Sequence, residues 1–268
     1  MPLYQLLITL TIVDIFFFIY FLHYVTQSVK YETIIHKIYD TTRKSLEKSC
    51  TLKCDKLTQA NFAESTQIKA YKSGIYQGFV LDGLLAFCQK EDIVLSILYP
   101  PGTFVLENTV LMEVNIQKIP DQSFENELSS LINIHRGQDI DSNAYYGLRQ
   151  LMEVAVKALS PGINDPGTAV LSLQALGDLL MFRLCNYPLT SIKDRNEVLR
   201  IITNERTFEE IFTDCIYPIW DYGEEDRLIL KELVHILTQL QAQSPESIVK
   251  DLLELVKKNT TNLDLETT

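Results

Sequence analysis

Residues 3–22 read LYQLLITLTIVDIFFFIYFL, an almost unbroken apolar run. As a helix rising about 1.5 Å per residue, the run is about 30 Å long, the thickness of a bilayer's hydrocarbon core. It predicts one transmembrane helix over 1–25. A cleaved leader would need a basic start, a shorter apolar stretch and a small-residue cleavage site, and none of these flanks the run. Asp14 lies in its middle. An ionised carboxylate there costs several kcal/mol unless it is protonated, paired or turned toward other helices. Two readings of Asp14 stand side by side: an ion path or helix contact, and a protonated carboxyl tolerated by a very apolar helix.

Outward from this run the charges are one-sided. Lys30, Lys37, Arg43, Lys44, Lys48, Lys53 and Lys56 follow it, and no Lys or Arg precedes it. The excess of positive charge beside membrane spans on the cytoplasmic side sets the expected orientation: the C-terminal part in the cytoplasm, the chain single-pass in the inner membrane. Residues 26–60 read as a helical connector, with Val29, Ile34, Ile35, Ile38 and Leu46 on an apolar stripe. The formal net charge of −11 over 268 residues supplies no clustered basic excess for phosphate backbones, so no nucleic-acid partner is expected. Five cysteines, an odd number, do not form a disulfide framework. Cys50 and Cys54 have the spacing of half a metal site, but no second Cys/His pair follows, so no metal is expected there.

The texture changes after a polar linker at 61–69. SGIYQGFV (73–80) and DIVLSILYPPGTFVLENTVLMEV (92–114) are rich in β-branched and aromatic residues and punctuated by Gly and Pro-Pro-Gly, with LDGLLAFCQ (81–89) as a short helix between them. A small β-rich domain over 61–120 is expected, with a tight hairpin about Glu107-Asn108. That hairpin resembles those of biotinyl and lipoyl barrel-sandwich domains. It carries no Lys at its tip, so a swinging-arm role and its cofactor are not expected.

From Phe124 on, the apolar spacing is helical. AYYGLRQLMEVAVKAL (144–159) places Leu148, Leu151, Met152, Ala155 and Leu159 on one face, and the next run does the same with Ala169, Val170, Leu173, Leu176, Leu180 and Leu184. Further runs cover 207–217, 224–241 and 246–257, the last opened by Ser244 and Pro245. An α-helical domain over 121–258 and a disordered tail over 259–268 are predicted, and the fold class is α+β. Between the first two helices lies ALSPGINDPGTA (158–169). Ser160-Pro161-Gly162 stops one helix and Asp165-Pro166 starts the next, Asp165 as N-cap and Pro166 as first helical residue. Capping leaves Asn164 unexplained. Polar groups at a helix start also make a ligand site, so Ser160, Asn164, Asp165 and Thr168 are candidate binding residues. Asp165 favours an amine, a cation or an arginine as its partner, and Arg149 and Arg136 are candidates for that arginine.

YGLRQLMEVAVKALSPGINDPGTAVLSLQAL (146–176), with the run-up HRGQDIDSNAYYGLRQL (135–151), resembles the signature of a family of bacterial membrane proteins known as domain of unknown function 2254. YFLHYVTQSVK (20–30), RTFEEIF (206–212) and IWDYGEEDR (219–227) are similar to other parts of that family, so the likeness covers nearly the whole chain. It implies an integral membrane protein with a cytoplasmic part and no assigned reaction. Members of that family begin with several membrane helices, whereas this chain starts at the last one. The resemblance therefore implies a truncated product or one that works with separately encoded helices.

No arrangement of Ser, His, Asp or Cys in the sequence argues for catalysis. A membrane-anchored binding or regulatory module is the first expectation. A subunit of a multi-helix transporter or channel is the second, supported by Asp14, and an enzyme the last. The expected partners are the lipid bilayer, and other transmembrane helices or a second copy of the chain.

Overall fold

The computed structural model describes residues 2–28, 31–51, 62, 65–117, 121–243 and 247–265. Helix α1 spans Pro2–Ser28. Its large apolar side chains from Tyr4 to Phe21 are between 42% and 72% exposed, on every side of the helix. A helix apolar all round is stable in a core or in a bilayer, and this one touches no core. Tyr4–Phe21 is long and apolar enough to cross a membrane. The hydroxyls of Thr9 and Thr11 donate to the carbonyls of Gln5 and Leu7, which spares them an unpaired donor in an apolar medium.

Helix α2 (Tyr31–Ser49) is more than a connector. It buries Ile35, Thr42 and Leu46 against α5 (Ala144–Leu159) and α6 (Pro166–Cys185). Arg43 fastens it further: its guanidinium pairs with Glu47 at 2.8 Å and Asp178 at 3.3 Å and lies 4.1 Å from the Phe182 ring centre, while Tyr39 donates to the same Asp178 at 2.6 Å. Helices α5 and α6 form the expected hairpin, with Leu148, Leu151 and Ala155 facing Ala169, Leu173 and Leu176 in one core. Helix α6 is also long and apolar enough to span a membrane, but 56% of it is buried, so it is a core helix. Helices α7 (Phe208–Gly223), α8 (Arg227–Gln243) and α9 (Ser247–Leu265) complete this core. Thr207 and Glu210 cap α7 reciprocally.

A second core lies between two sheets. The larger has the order β1 (Thr66–Lys69), β5 (Val110–Val114), β3 (Leu95–Ile97), β8 (Leu199–Ile202), β7 (Ser191–Lys193); the smaller has the order β4 (Phe104–Val105), β2 (Gly74–Phe79), β6 (Ile132–His135). Tyr76, Leu84, Leu95, Leu111, Met112 and Ile134 fill the space with α3 (Leu81–Lys90) and α4 (Gln122–Ser130). The fold is mixed α+β.

Several expectations are corrected. The linker expected at 61–69 carries β1. Strands β4 and β5 do not form a hairpin, because the chain passes from one sheet to the other at Glu107-Asn108, where Asn108 takes φ 66°. The region expected to be wholly helical supplies β6, β7 and β8, and β8 runs parallel to β3, pairing Leu95 with Ile201 and Ser96 with Ile202. The two expected domains therefore share a sheet. Residues 259–265, expected to be disordered, continue α9. Ser244, Pro245 and Cys54 lie outside the described residues.

Candidate functional site

The loop at 160–168 is built by its own chain. The Ser160 hydroxyl donates to the Lys157 carbonyl at 2.7 Å, and the Ser160 carbonyl accepts from the amides of Ile163 and Asn164, both at 2.9 Å. The Asp165 amide donates to the Ala158 carbonyl at 2.8 Å. Its carboxylate accepts from the Thr168 hydroxyl at 2.6 Å and from the Thr168 amide at 3.1 Å, closing the start of α6. These bonds, the hydroxyl's first, hold the Asp165 carboxyl below its usual range. Asn164 sits at φ 48°, in the left-handed region, where its short polar side chain is tolerated better than most. Backbone geometry supplies the reason that capping lacked.

The loop's expected arginines lie elsewhere. Arg149 pairs with Glu153 at 3.5 Å, and about 16 Å of helix axis separates it from Ser160. Arg136 is exposed just after β6. Neither arginine makes a hydrogen bond or ion pair with the loop among the described residues. Asp14 is exposed on α1 among apolar side chains. Among the described residues no three His, Cys, Asp or Glu side chains converge as metal ligands.

The sequence did not point to a cavity of about 440 Å³ where the two cores meet. It draws on the last turn of α2, on β2, on the segment entering α5, on the end of α6 and on residues 203–206 after β8. Its size suits a small molecule. Arg183, on α6, is only 5% exposed. Its two terminal nitrogens donate to the carbonyls of Asn186 at 3.2 Å and Arg206 at 2.9 Å, which moor the 203–206 segment to the helix. Arg206 lies with its guanidinium carbon 4.0 Å from the Tyr145 ring centre. The Tyr145 hydroxyl donates to Asp214, and burial followed by that bond raises its pKa. A guanidinium is a rigid fork of N–H donors that suits planar acceptors.

Two residues that line this cavity each carry a buried polar atom without a partner among the described residues: Nε of Arg206 and Oε1 of Gln77, whose amide nitrogen donates to the Gly137 carbonyl at 2.8 Å. Such atoms are few in folded proteins and call for an explanation. Glu205 lines the same cavity near Arg183 and Arg206 and makes no hydrogen bond or ion pair among the described residues. Burial pushes its carboxyl up to about 7, against the opposing pull of Arg183 and Arg206. Burial also raises the Tyr76 phenol and the Cys50 thiol, so Cys50 is no ready thiolate nucleophile. A cavity with convergent polar groups and a displaced carboxyl is the pattern of a binding site. The sequence did carry one signal: RTFEEIF, quoted above for its likeness, begins with Arg206.

A model of a family described as predicted membrane protein, domain of unknown function 2254, matches residues 5–239. An uncharacterized protein of Mycobacterium tuberculosis is 24% identical over 243 residues, which are 86% of this chain and 46% of that one. A second protein of that species and one of Mycobacterium bovis, also uncharacterized, are 23% identical with the same coverage. The chain spans about half the length of these relatives. No solved structure matches it.

Proposed function

Because the chain belongs to the domain of unknown function 2254 family of predicted membrane proteins, we propose that it is a membrane-anchored binding module whose ligand site is the cavity between the helical and sheet cores. The observation that carries this reading is the pair of unpartnered buried atoms, Arg206 Nε and Gln77 Oε1, on two residues that line one cavity. A buried donor and a buried acceptor each cost about 1–3 kcal/mol when unsatisfied, and a ligand that bonds both removes the cost. Helix α1 holds the module at the bilayer, with the remainder of the chain in the cytoplasm. The test is a screen of water-soluble small molecules against the full chain in nanodiscs, read by melting temperature and by hydrogen exchange. A ligand of this site slows exchange in β2, at 203–206 and in the last turn of α2. The reading fails if no compound shifts melting, or if protection gathers at the 160–168 loop instead.

A second reading, a subunit of a larger transporter or channel, is favoured by Asp14. This carboxylate has no hydrogen bond or ion pair among the described residues and sits on a helix face with nothing packed on it. Partner helices, or a second copy of α1, would shelter it. Cysteine cross-linking from the Asp14 face in native membranes separates the two: a cross-linked heteromer supports the subunit, and its absence leaves the anchored module.

A further inference from the structure

We infer that the ligand of this cavity is a small free oxyanion, gripped by the Arg206 guanidinium with Arg183 near it, and that Glu205 takes up a proton as the anion binds. This rests on the reading of the cavity as a ligand site and goes further by naming the ligand's chemistry.

The geometry argues for an anion first. Arg183 is deeply buried, and its hydrogen bonds go to carbonyls, with no ion pair to a carboxylate among the described residues. The Arg206 guanidinium carbon lies 4.0 Å from the Tyr145 ring centre, and its Nε has no partner among the described residues. A guanidinium can present two parallel N–H groups, the fork that carboxylates, sulfates and phosphates fit. Gln77 Oε1 asks for a donor on the same ligand or on Glu205. Lys48 adds a third cation to the cavity wall from α2.

The proton follows from the charges facing Glu205. These are Arg183 on α6, Arg206 beside it, Cys50 after α2 and Tyr76 on β2. Asp141 and Tyr145 lie further along the wall. Burial keeps both Tyr76 and Cys50 uncharged around neutrality, so Glu205 is the group among them that changes charge there. Ionised, it competes with an incoming anion for the same two guanidinium groups. Protonated, it stops competing and becomes a donor.

A free solute fits better than a lipid headgroup. The α2 residues in the cavity wall, Ser45 to Ser49, are at the far end of the helix from the membrane segment, about 20 Å beyond Tyr31 along its axis.

Sulfate is the probe, because its charge is constant from pH 6 to 8. Calorimetric titration of the full chain in zwitterionic nanodiscs, at fixed ionic strength, gives binding about tenfold tighter at pH 6 than at pH 8, since the protonated share of a group near 7 falls by about that factor. Glu205→Gln binds equally at both pH values, close to the wild type at pH 6, and Arg206→Gln loses binding at both. Proton uptake, read at pH 7 from buffers of different ionisation enthalpy, tests the same point without a variant. Binding that is unchanged or tighter at pH 8, or that takes up no proton, overturns the coupling. Displacement of sulfate by phosphatidylglycerol in the disc overturns the free-solute assignment. No sulfate binding, together with a neutral or cationic compound that protects the cavity in the screen above, overturns the anion and leaves the cavity as the site.

Discussion

Asn164 holds its backbone at φ 48° between two helices, and the side chains of Ser160, Asp165 and Thr168 in its loop are bonded to neighbours. Its identity is therefore a matter of conformation. Asn164→Gly should leave stability within about 0.5 kcal/mol of the wild type, while Asn164→Ala should cost about 1 kcal/mol, because a Cβ beside the carbonyl is strained in the left-handed region. Thermal unfolding of the full chain in detergent checks both, and equal behaviour of the two variants would refute the argument. Glu205 is the residue whose effect depends on pH. Its carboxyl is raised from 4.5 to about 7 in the folded chain. Between those values the folded state binds the proton more tightly than the unfolded state, so the stabilising contribution is full below 4.5 and is lost as pH rises through 7. Glu205→Gln abolishes that loss. At pH 8 it should be more stable than the wild type, by on the order of 3 kcal/mol for a shift of this size, with the difference vanishing at pH 4.5. Melting temperatures across that range, without added anions, measure it. The capping roles of Ser160 and Asp165 were legible in the sequence, because Pro and Gly mark helix ends by sterics alone. Glu205 was not, since its character comes from burial among residues distant in sequence.

At the scale of elements, the joint between α2 and α5 depends on Gly147. A Cβ there would collide with the Thr42 hydroxyl, lie 2.9 Å from the Thr42 Cβ and 3.0 Å from Ile140. Thr42 is fully buried and bonded to the Ile38 carbonyl at 2.6 Å, so it has little room to yield. Gly147→Ala should destabilise by about 1–3 kcal/mol despite the better helix propensity of alanine, as overpacking does. It should also speed hydrogen exchange in α2 more than in α8. Adding Thr42→Ala should restore part of the loss, and no recovery would place the strain elsewhere. Helices α5 and α6 were readable from apolar periodicity because both are long and face one core. Strands β6, β7 and β8 were not, because each has only three or four residues and their pairing is set by distant partners. The turn at Asn108 misled for a related reason: a tight reversal looks the same in sequence whether its strands pair with each other or part into two sheets.

For the whole molecule, the exposed apolar surface of α1 and the composition of the rest point to two solvents. α1 presents apolar side chains on all sides, far beyond what a soluble surface carries, while the remainder has two packed cores and a strongly acidic sequence. The chain should fractionate with membranes, resist extraction by carbonate and need detergent for release. A chain lacking residues 1–25 should appear in the soluble fraction with its melting temperature little changed, because none of the described side chains of α1 belongs to either core. Retention of that shorter chain in the membrane would show that another surface is held there.

The parallel pairing of β3 with β8 also has a bearing on synthesis. β3 finds this neighbour only after about a hundred further residues have been made, which at roughly 5–20 residues per second keeps one edge of the nascent sheet open for several seconds. During that interval α1 has already left the ribosome and α5 and α6 are still emerging. An open strand edge is a template for wrong partners. The order of manufacture thus exposes the first half of the chain to aggregation until the second half arrives.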